Sequence, residues 1–162
     1  VALAEAERRV QAIATVHAAL SQNVDESVDF DEVARTIVRM AGAIASTDHA
    51  VEVITTGSFG TIQADQAQAL ATVLNELVAN SVEHGLADRD GLIEVRAERE
   101  GTSMTVTVAD DGVGFVPGTP MSGLGTQIVH QMVRGELRGS IEWAPREGGG
   151  TLVTLHANLD PA

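Results

Sequence analysis

Apolar positions at the start of the chain recur three and four apart: Leu3, Ala6, Val10, Ile13, His17 and Leu20. That alternation is an a/d seam of the coiled-coil or bundle kind and predicts a helix over 1–22, with Arg8, Arg9 and Gln11 off the seam. His17 lies within the seam and is expected to be packed there, not to act as a reactive group. A polar stretch, 23–29, reads as a loop before a second helix that runs to about Ile44. Asp29 with Glu32 has the spacing of a capping box at its start, and Phe30, Val33, Ile37, Met40, Ala41 and Ile44 form its apolar stripe.

From Ala50 the period shortens. Val51, Val53 and Ile54 suggest a strand, Gly57-Ser58 a turn, and 59–63 a short second strand. Asp65 with Gln68 has the spacing to cap a third helix reaching His84, with Leu70, Val73, Leu74, Leu77, Val78 and Val82 as its buried stripe and Gly85 as its C-cap. Residues 92–99 and 103–109 alternate as strands around a Gly101 turn, and Met104, Val106 and Val108 share one face. Five glycines and two prolines within 110–125 leave no room for regular structure. Helix resumes near Gly125 and stops by Gly135, and strands at 140–144 and 151–158 are joined across Gly148-Gly149-Gly150. The pattern predicts two helices followed by a mixed sheet with helices on one face, a two-layer α/β sandwich.

Composition narrows the functional classes. With one Trp, three Phe and no Tyr, the core must be built from Ala, Val, Leu and Ile. The absence of cysteine excludes disulfides, thiolate metal sites and a thiol nucleophile, and fits a cytoplasmic protein. A net charge of −13 argues against a nucleic-acid footprint, which rests on clustered basic side chains. No segment reads as a membrane span or a signal peptide, and the helical pattern already under way at Val1 suggests a piece of something longer. All ten basic residues are arginine, so a P-loop, which needs its lysine on the phosphates, is ruled out.

Four segments carry candidate chemistry. On the third helix Glu76, Asn80 and His84 recur every four residues, flanked by Asn75; such a stripe suits Mg2+ and phosphate oxygens, although alone it more often reads as an ordinary solvated face. Asp110-Asp111-Gly112-Val113-Gly114-Phe115 follows a strand: an acid at a strand end can accept a hydrogen bond from an exocyclic amine, and G-x-G lets backbone approach a flat ligand, although alone it also reads as a turn. Ser122-Gly123-Leu124-Gly125-Thr126 opens a helix, where exposed N–H groups favour phosphate. Gly148-Gly149-Gly150-Thr151 feeds the last strand, as a plain hairpin or as a support for the acid.

The four segments in this order resemble the N, G1, G2 and G3 boxes of the histidine-kinase-type ATPase superfamily, which includes gyrase B, Hsp90 and MutL: NELVANSVEHG, DDGVGF, GLGTQIV and GGGTLVTL. The amino-terminal ERRVQAIATVHAALSQ and VDFDEVARTIV are similar to the second dimerisation helix and connector of the HisKA_2 class of sensor kinases. Soluble actinobacterial kinases that signal to RNA-binding antiterminator regulators look closest. The resemblance implies two parts: 1–45, a partial dimerisation and phosphotransfer segment, and 46–162, an ATP-binding catalytic domain. It implies ATP and Mg2+ as cofactors, a response regulator as partner, and a homodimer built through the dimerisation helices. By the same resemblance Asp110 binds the adenine amine with Thr151 behind it, and Gly112 and Gly114 let the loop close over the base. Asn80 and Glu76 serve the metal and the γ-phosphate, and His84 lies near the phosphates. Gly123, Leu124, Gly125 and Thr126 offer the phosphates a helix start, and 115–122 form the ATP lid.

The phospho-accepting histidine of that class sits on a first dimerisation helix that no segment here matches, so this chain alone is expected not to phosphorylate itself. One departure is Glu83, which stands where the family often has a basic residue. An anti-sigma-factor serine kinase shares the ATP fold but needs no dimerisation helix, so residues 1–45 argue against it. A degenerate partner-binding domain is argued against by intact Asn80, Asp110, Gly112, Gly114, Gly123 and Gly125.

Overall fold

In the computed structural model the described residues are 2–20, 26–45, 48–115 and 124–161. The elements run α1 (Ala2–Leu20), β1 (Ser27–Asp29), α2 (Phe30–Ala45), β2 (Val51–Gly57), β3 (Thr61–Gln63), α3 (Ala64–Asn80), a π turn (Ser81–Gly85), β4 (Gly91–Glu100), β5 (Ser103–Asp110), α4 (Leu124–Arg134), β6 (Ser140–Pro145) and β7 (Thr151–Asn158). Strands β2-β4-β5-β7-β6 form one five-stranded sheet. The β2–β4 pair is parallel and the others antiparallel, so the sheet is mixed as expected.

The two-residue period shows which face of the sheet is covered. On β4, Ile93, Val95 and Ala97 are buried while Glu94, Arg96 and Glu98 are exposed. On β5 the buried series Met104, Val106, Val108 continues to Asp110, so the last inward position of that strand is a carboxylate. Above this face lies α3, flanked by α2 and α4. Twelve of its 17 residues are buried, far more than one stripe, because neighbours meet it on both sides as well as from below. The layer arrangement is the two-layer sandwich that the pattern predicts.

Several local expectations change. Residues 27–29 are a strand, not loop: β1 pairs antiparallel with β3 and buries Val28 against Ile62. With one apolar residue in three, such a strand shows no readable period. Helix α3 starts without the Asp65–Gln68 box. Its first N–H, on Ala64, donates to the Glu26 carbonyl at 2.8 Å, so β1 and the residue before it supply the cap. The box at α2 is half present, with the Asp31 N–H reaching Asp29 Oδ1 at 3.4 Å.

Helix α1 faces two ways. Thr15 and Val16 are buried, and Leu20 packs against the core where the helix meets α2 and α3. The rest of the seam points elsewhere: Leu3, Val10 and Ile13 are 78%, 67% and 70% exposed. His17, expected to be packed, is exposed within the single chain, because before Leu20 the residues facing this chain's own core, Thr15 and Val16, are just off the seam.

The turn after β2 is held from α2. Asp31 accepts the Phe59 N–H through Oδ1 and the Ser58 hydroxyl through Oδ2 at 2.9 Å, while Phe30 meets Phe59 edge-on at 5.2 Å between ring centroids. Gly57 is required there: its φ is +79°, and a Cβ would stand 1.9 Å from the Ala97 carbonyl oxygen. Asp31→Ala strips this turn of both acceptors. Urea unfolding is expected to show a loss of about 1–3 kcal/mol, with nucleotide affinity unaltered.

Candidate functional site

The site grows from the inward end of β5. The Asp110 side chain is 2% exposed, and its Oδ1 accepts N–H bonds from Gly112 at 3.0 Å and Thr151 at 3.3 Å. Two backbone donors on one oxygen offset part of the cost of burying a carboxylate. A carboxylate has about four lone-pair sites, so acceptor capacity remains for a donor brought by a ligand.

Backbone packs around this carboxylate from three segments. Gly85, at the end of the π turn, lies where a Cβ would be 2.9 Å from Asp110 Oδ1. Its carbonyl accepts the Val113 N–H at 3.0 Å, and a Cβ on Gly112 would be 2.2 Å from that same carbonyl oxygen. Gly150, at φ +101°, would carry a Cβ only 1.9 Å from the Asp110 carbonyl oxygen. Gly114, at φ +72°, completes the set, with its Cβ position 3.0 Å from the Gly150 carbonyl. Side chains at these positions would fill the space in which the loop, the helix end and the β7 hairpin meet.

The expected C-cap at Gly85 is corrected by this geometry. Its φ is not among the positive ones, and α3 ends in a π turn closed by Leu86 N–H on the Ser81 carbonyl at 3.0 Å. Glycine is needed there because the Asp110 carboxylate lies against it. The wider turn also carries His84 off the strict four-residue stripe. Glu76 is buried, at 3% exposure, Asn80 is half-buried at the last position of α3, and His84 is exposed.

Gly125 and Thr126 are buried in the first turn of α4, which contains no acidic side chain, so the positive end of the helix dipole is not offset from within that turn. Leu124 is the first residue of α4. Gly123 and lid residues 116–122 lie outside the described residues. Thr151, half-buried at the start of β7, reaches Asp110 through its backbone N–H. Asp110, Gly112, Gly114 and Thr151 are therefore brought together, and Asn80 and His84 lead to them along the chain through Gly85. Sequence reasoning included Gly85 and Gly150 in the N and G3 segments but missed their packing against Asp110. Their only signal was that they are glycines within those segments.

The site is a buried strand-end carboxylate in a glycine cradle, beside a helix end on one side and a hairpin on the other. The chain belongs to the family described as histidine kinase-, DNA gyrase B-, and HSP90-like ATPase, which it matches over residues 65–161. Residues 1–44 match the HisKA_2 histidine kinase family. The chain is 40% identical over 159 residues to the sensor histidine kinase PdtaS of Mycobacterium tuberculosis, covering 95% of this chain and 32% of that protein. The same protein from Mycolicibacterium smegmatis is 40% identical over 163 residues, covering 98% and 33%. The chain thus spans about a third of the length of these relatives. Among solved structures it resembles the histidine kinase domain of a blue-light activated kinase from Erythrobacter litoralis, with TM-score 0.76 and 23% identity over 94% of this chain and 74% of that one. The ATP binding domain of PrrB from Mycobacterium tuberculosis follows with TM-score 0.65 and 20% identity over 84% and 99%. At these identities the structural likeness speaks for the fold.

Proposed function

We propose that this chain binds Mg·ATP and forms the catalytic part of a cytoplasmic sensor histidine kinase. It passes the γ-phosphate to a histidine on a dimerisation helix beyond these residues, for relay to a response regulator. The observation that carries this reading is the Asp110 carboxylate, buried at the strand end and held by Gly112 and Thr151 N–H groups with acceptor capacity to spare. The adenine amine supplies the matching donor. Similarity to relatives that are themselves sensor histidine kinases supports the larger assignment.

The roles follow the placement. Asp110 orients the base, and Gly112 and Gly114 leave room for it. The α4 start, with Gly123, Leu124, Gly125 and Thr126, receives phosphate, and His84 reaches toward it from the π turn. Among the described residues no three His, Asp or Glu side chains gather into a metal cluster. Asn80 and Glu76 provide hard oxygen donors, and a magnesium ion held by one or two such groups completes its shell with phosphate and water. When bound, the ion neutralises charge on the transferred phosphoryl group.

That neutralisation matters more than usual here. The chain has no lysine, and no arginine falls between Arg39 and Arg89 or between Arg99 and Arg134, the stretches that hold the N box, G1, lid and G2. Residues 1–45 are the partial dimerisation segment and 46–162 the catalytic domain. The outward Leu3, Val10 and Ile13 suit pairing of two α1 helices in a homodimer. Among the described residues no helix is long and apolar enough to cross a membrane.

Calorimetry tests the reading. Mg·ATP is expected to bind with micromolar affinity, on the order of −8 kcal/mol. Chelating the divalent ion should weaken binding by roughly tenfold or more, about 1.4 kcal/mol. Incubation with labelled ATP should leave no acid-labile phosphate on this chain. Metal-independent binding, or no binding, overturns the assignment of the phosphate end of the site.

A further inference from the structure

We propose that Asp111 is a positioning residue that sets the geometry of its neighbour Asp110, an inference that rests on the Mg·ATP reading above. The two consecutive carboxylates do different work. Asp110 is the last inward residue of β5. Asp111 lies opposite Leu92 on β4, one step past the Ile93–Asp110 pair.

The Asp111 N–H donates to the Leu92 carbonyl at 3.3 Å. In a regular antiparallel ladder the Leu92 N–H would answer on the Asp111 carbonyl. It donates instead to the Asp111 side chain, at 2.9 Å from Oδ1. The carboxylate thus stands in for its own main-chain acceptor. The rung is completed, and the backbone is free to leave the strand and turn at once into Gly112 and Gly114.

The fit around this oxygen is close. A Cβ on Gly91 would be 2.6 Å from Asp111 Oδ1, so the glycine at the start of β4 makes room for the stand-in. The turn it launches delivers the Gly112 N–H to Asp110 Oδ1 and the Val113 N–H to the Gly85 carbonyl. Losing the substitute rung removes the anchor from which both bonds are aimed. The effect therefore falls on the presentation of Asp110 to a base more than on the core, which is closed by β5–β7 pairing and the helices.

What matters in this account is an acceptor oxygen at the reach of an aspartate side chain, not its charge. Asp111→Asn keeps an oxygen at that reach and drops the charge. Asp111→Glu keeps the charge and misplaces the oxygen by one methylene. Both are conservative enough to fold, as thermal melts would verify. Mg·ATP affinity by calorimetry and hydrogen exchange at the Leu92 amide are then read on the full chain, with Asp110→Asn in parallel.

Asp111→Asn is expected to bind within about twofold of wild type and to keep Leu92 protected. Asp111→Glu should lose Leu92 protection and bind about tenfold more weakly, the factor that one charged hydrogen bond commands. Glutamate binding as wild type, or asparagine weakened as much as glutamate, overturns the proposal. A weakened Asp110→Asn beside an unaltered Asp111→Glu sinks this inference alone. An unaltered Asp110→Asn sinks the adenine reading and this inference with it.

Discussion

Asp110→Asn is expected to weaken Mg·ATP binding by on the order of 10- to 150-fold, the 1.5–3 kcal/mol typical of a hydrogen bond to a charged group. The substitution is nearly isosteric, so shape is not the cause. In the proposed complex both carboxylate oxygens accept. Oδ1 takes the Gly112 and Thr151 N–H groups, and the proposed adenine amine needs a further acceptor. An amide has one oxygen and one NH2 group. If its oxygen faces the two backbone donors, the NH2 meets the adenine amine, donor against donor. If it flips, the NH2 faces the Gly112 and Thr151 N–H groups and the loop loses its hold. Calorimetry on a variant whose melting shows it folded decides the matter. Affinity equal to wild type would separate Asp110 from the base and leave the cradle without a ligand.

The order of elements and the boxes were legible because they rest on periodicity and on short runs of glycine and acid. Met104, Val106 and Val108 announced the inward face of β5, and extending their period by one step places Asp110 at its buried end. What escaped depends on contacts distant in sequence. Gly85 looked like a helix cap because glycine usually follows a helix end. Its real constraint, the Asp110 carboxylate 25 residues on, leaves no local trace. Strand β1 exists only because β3 pairs with it. The seam of α1 was legible as a pattern, but a pattern does not say which chain covers it. Within this chain Thr15 and Val16 face the core, and Leu3, Val10 and Ile13 do not. Glu76 read as a metal and phosphate residue on a polar stripe, with a solvated face as the plain alternative; it is buried, because α2 and α4 close on both sides of α3.

The second large effect separates three glycines that the sequence presents as equals. Gly148, Gly149 and Gly150 all adopt positive φ, at +88°, +112° and +101°. Alanine at any of them meets an unfavourable backbone region, a cost of about 1–3 kcal/mol. For Gly148 and Gly149 the cost stops there, since a Cβ at either meets nothing within 4 Å. At Gly150 the added carbon stands 1.9 Å from the Asp110 carbonyl oxygen, 2.8 Å from its carbon and 3.0 Å from Asp111 Cα. These are backbone atoms, which no rotamer change moves aside. The clash can be relieved only by parting the hairpin from the end of β5, and that parting breaks the Thr151 N–H bond to Asp110 and shifts Gly114, which packs on the Gly150 carbonyl. Gly150→Ala is therefore expected to cost more than about 3 kcal/mol in urea unfolding, beyond the strain of its two neighbours. It should also abolish measurable Mg·ATP binding under conditions where the folded state persists. Gly148→Ala and Gly149→Ala should lose stability alone and bind nucleotide as wild type does. Equal behaviour of all three variants would mean that the hairpin is a flexible connector and that Gly150 does not hold the adenine acceptor in place.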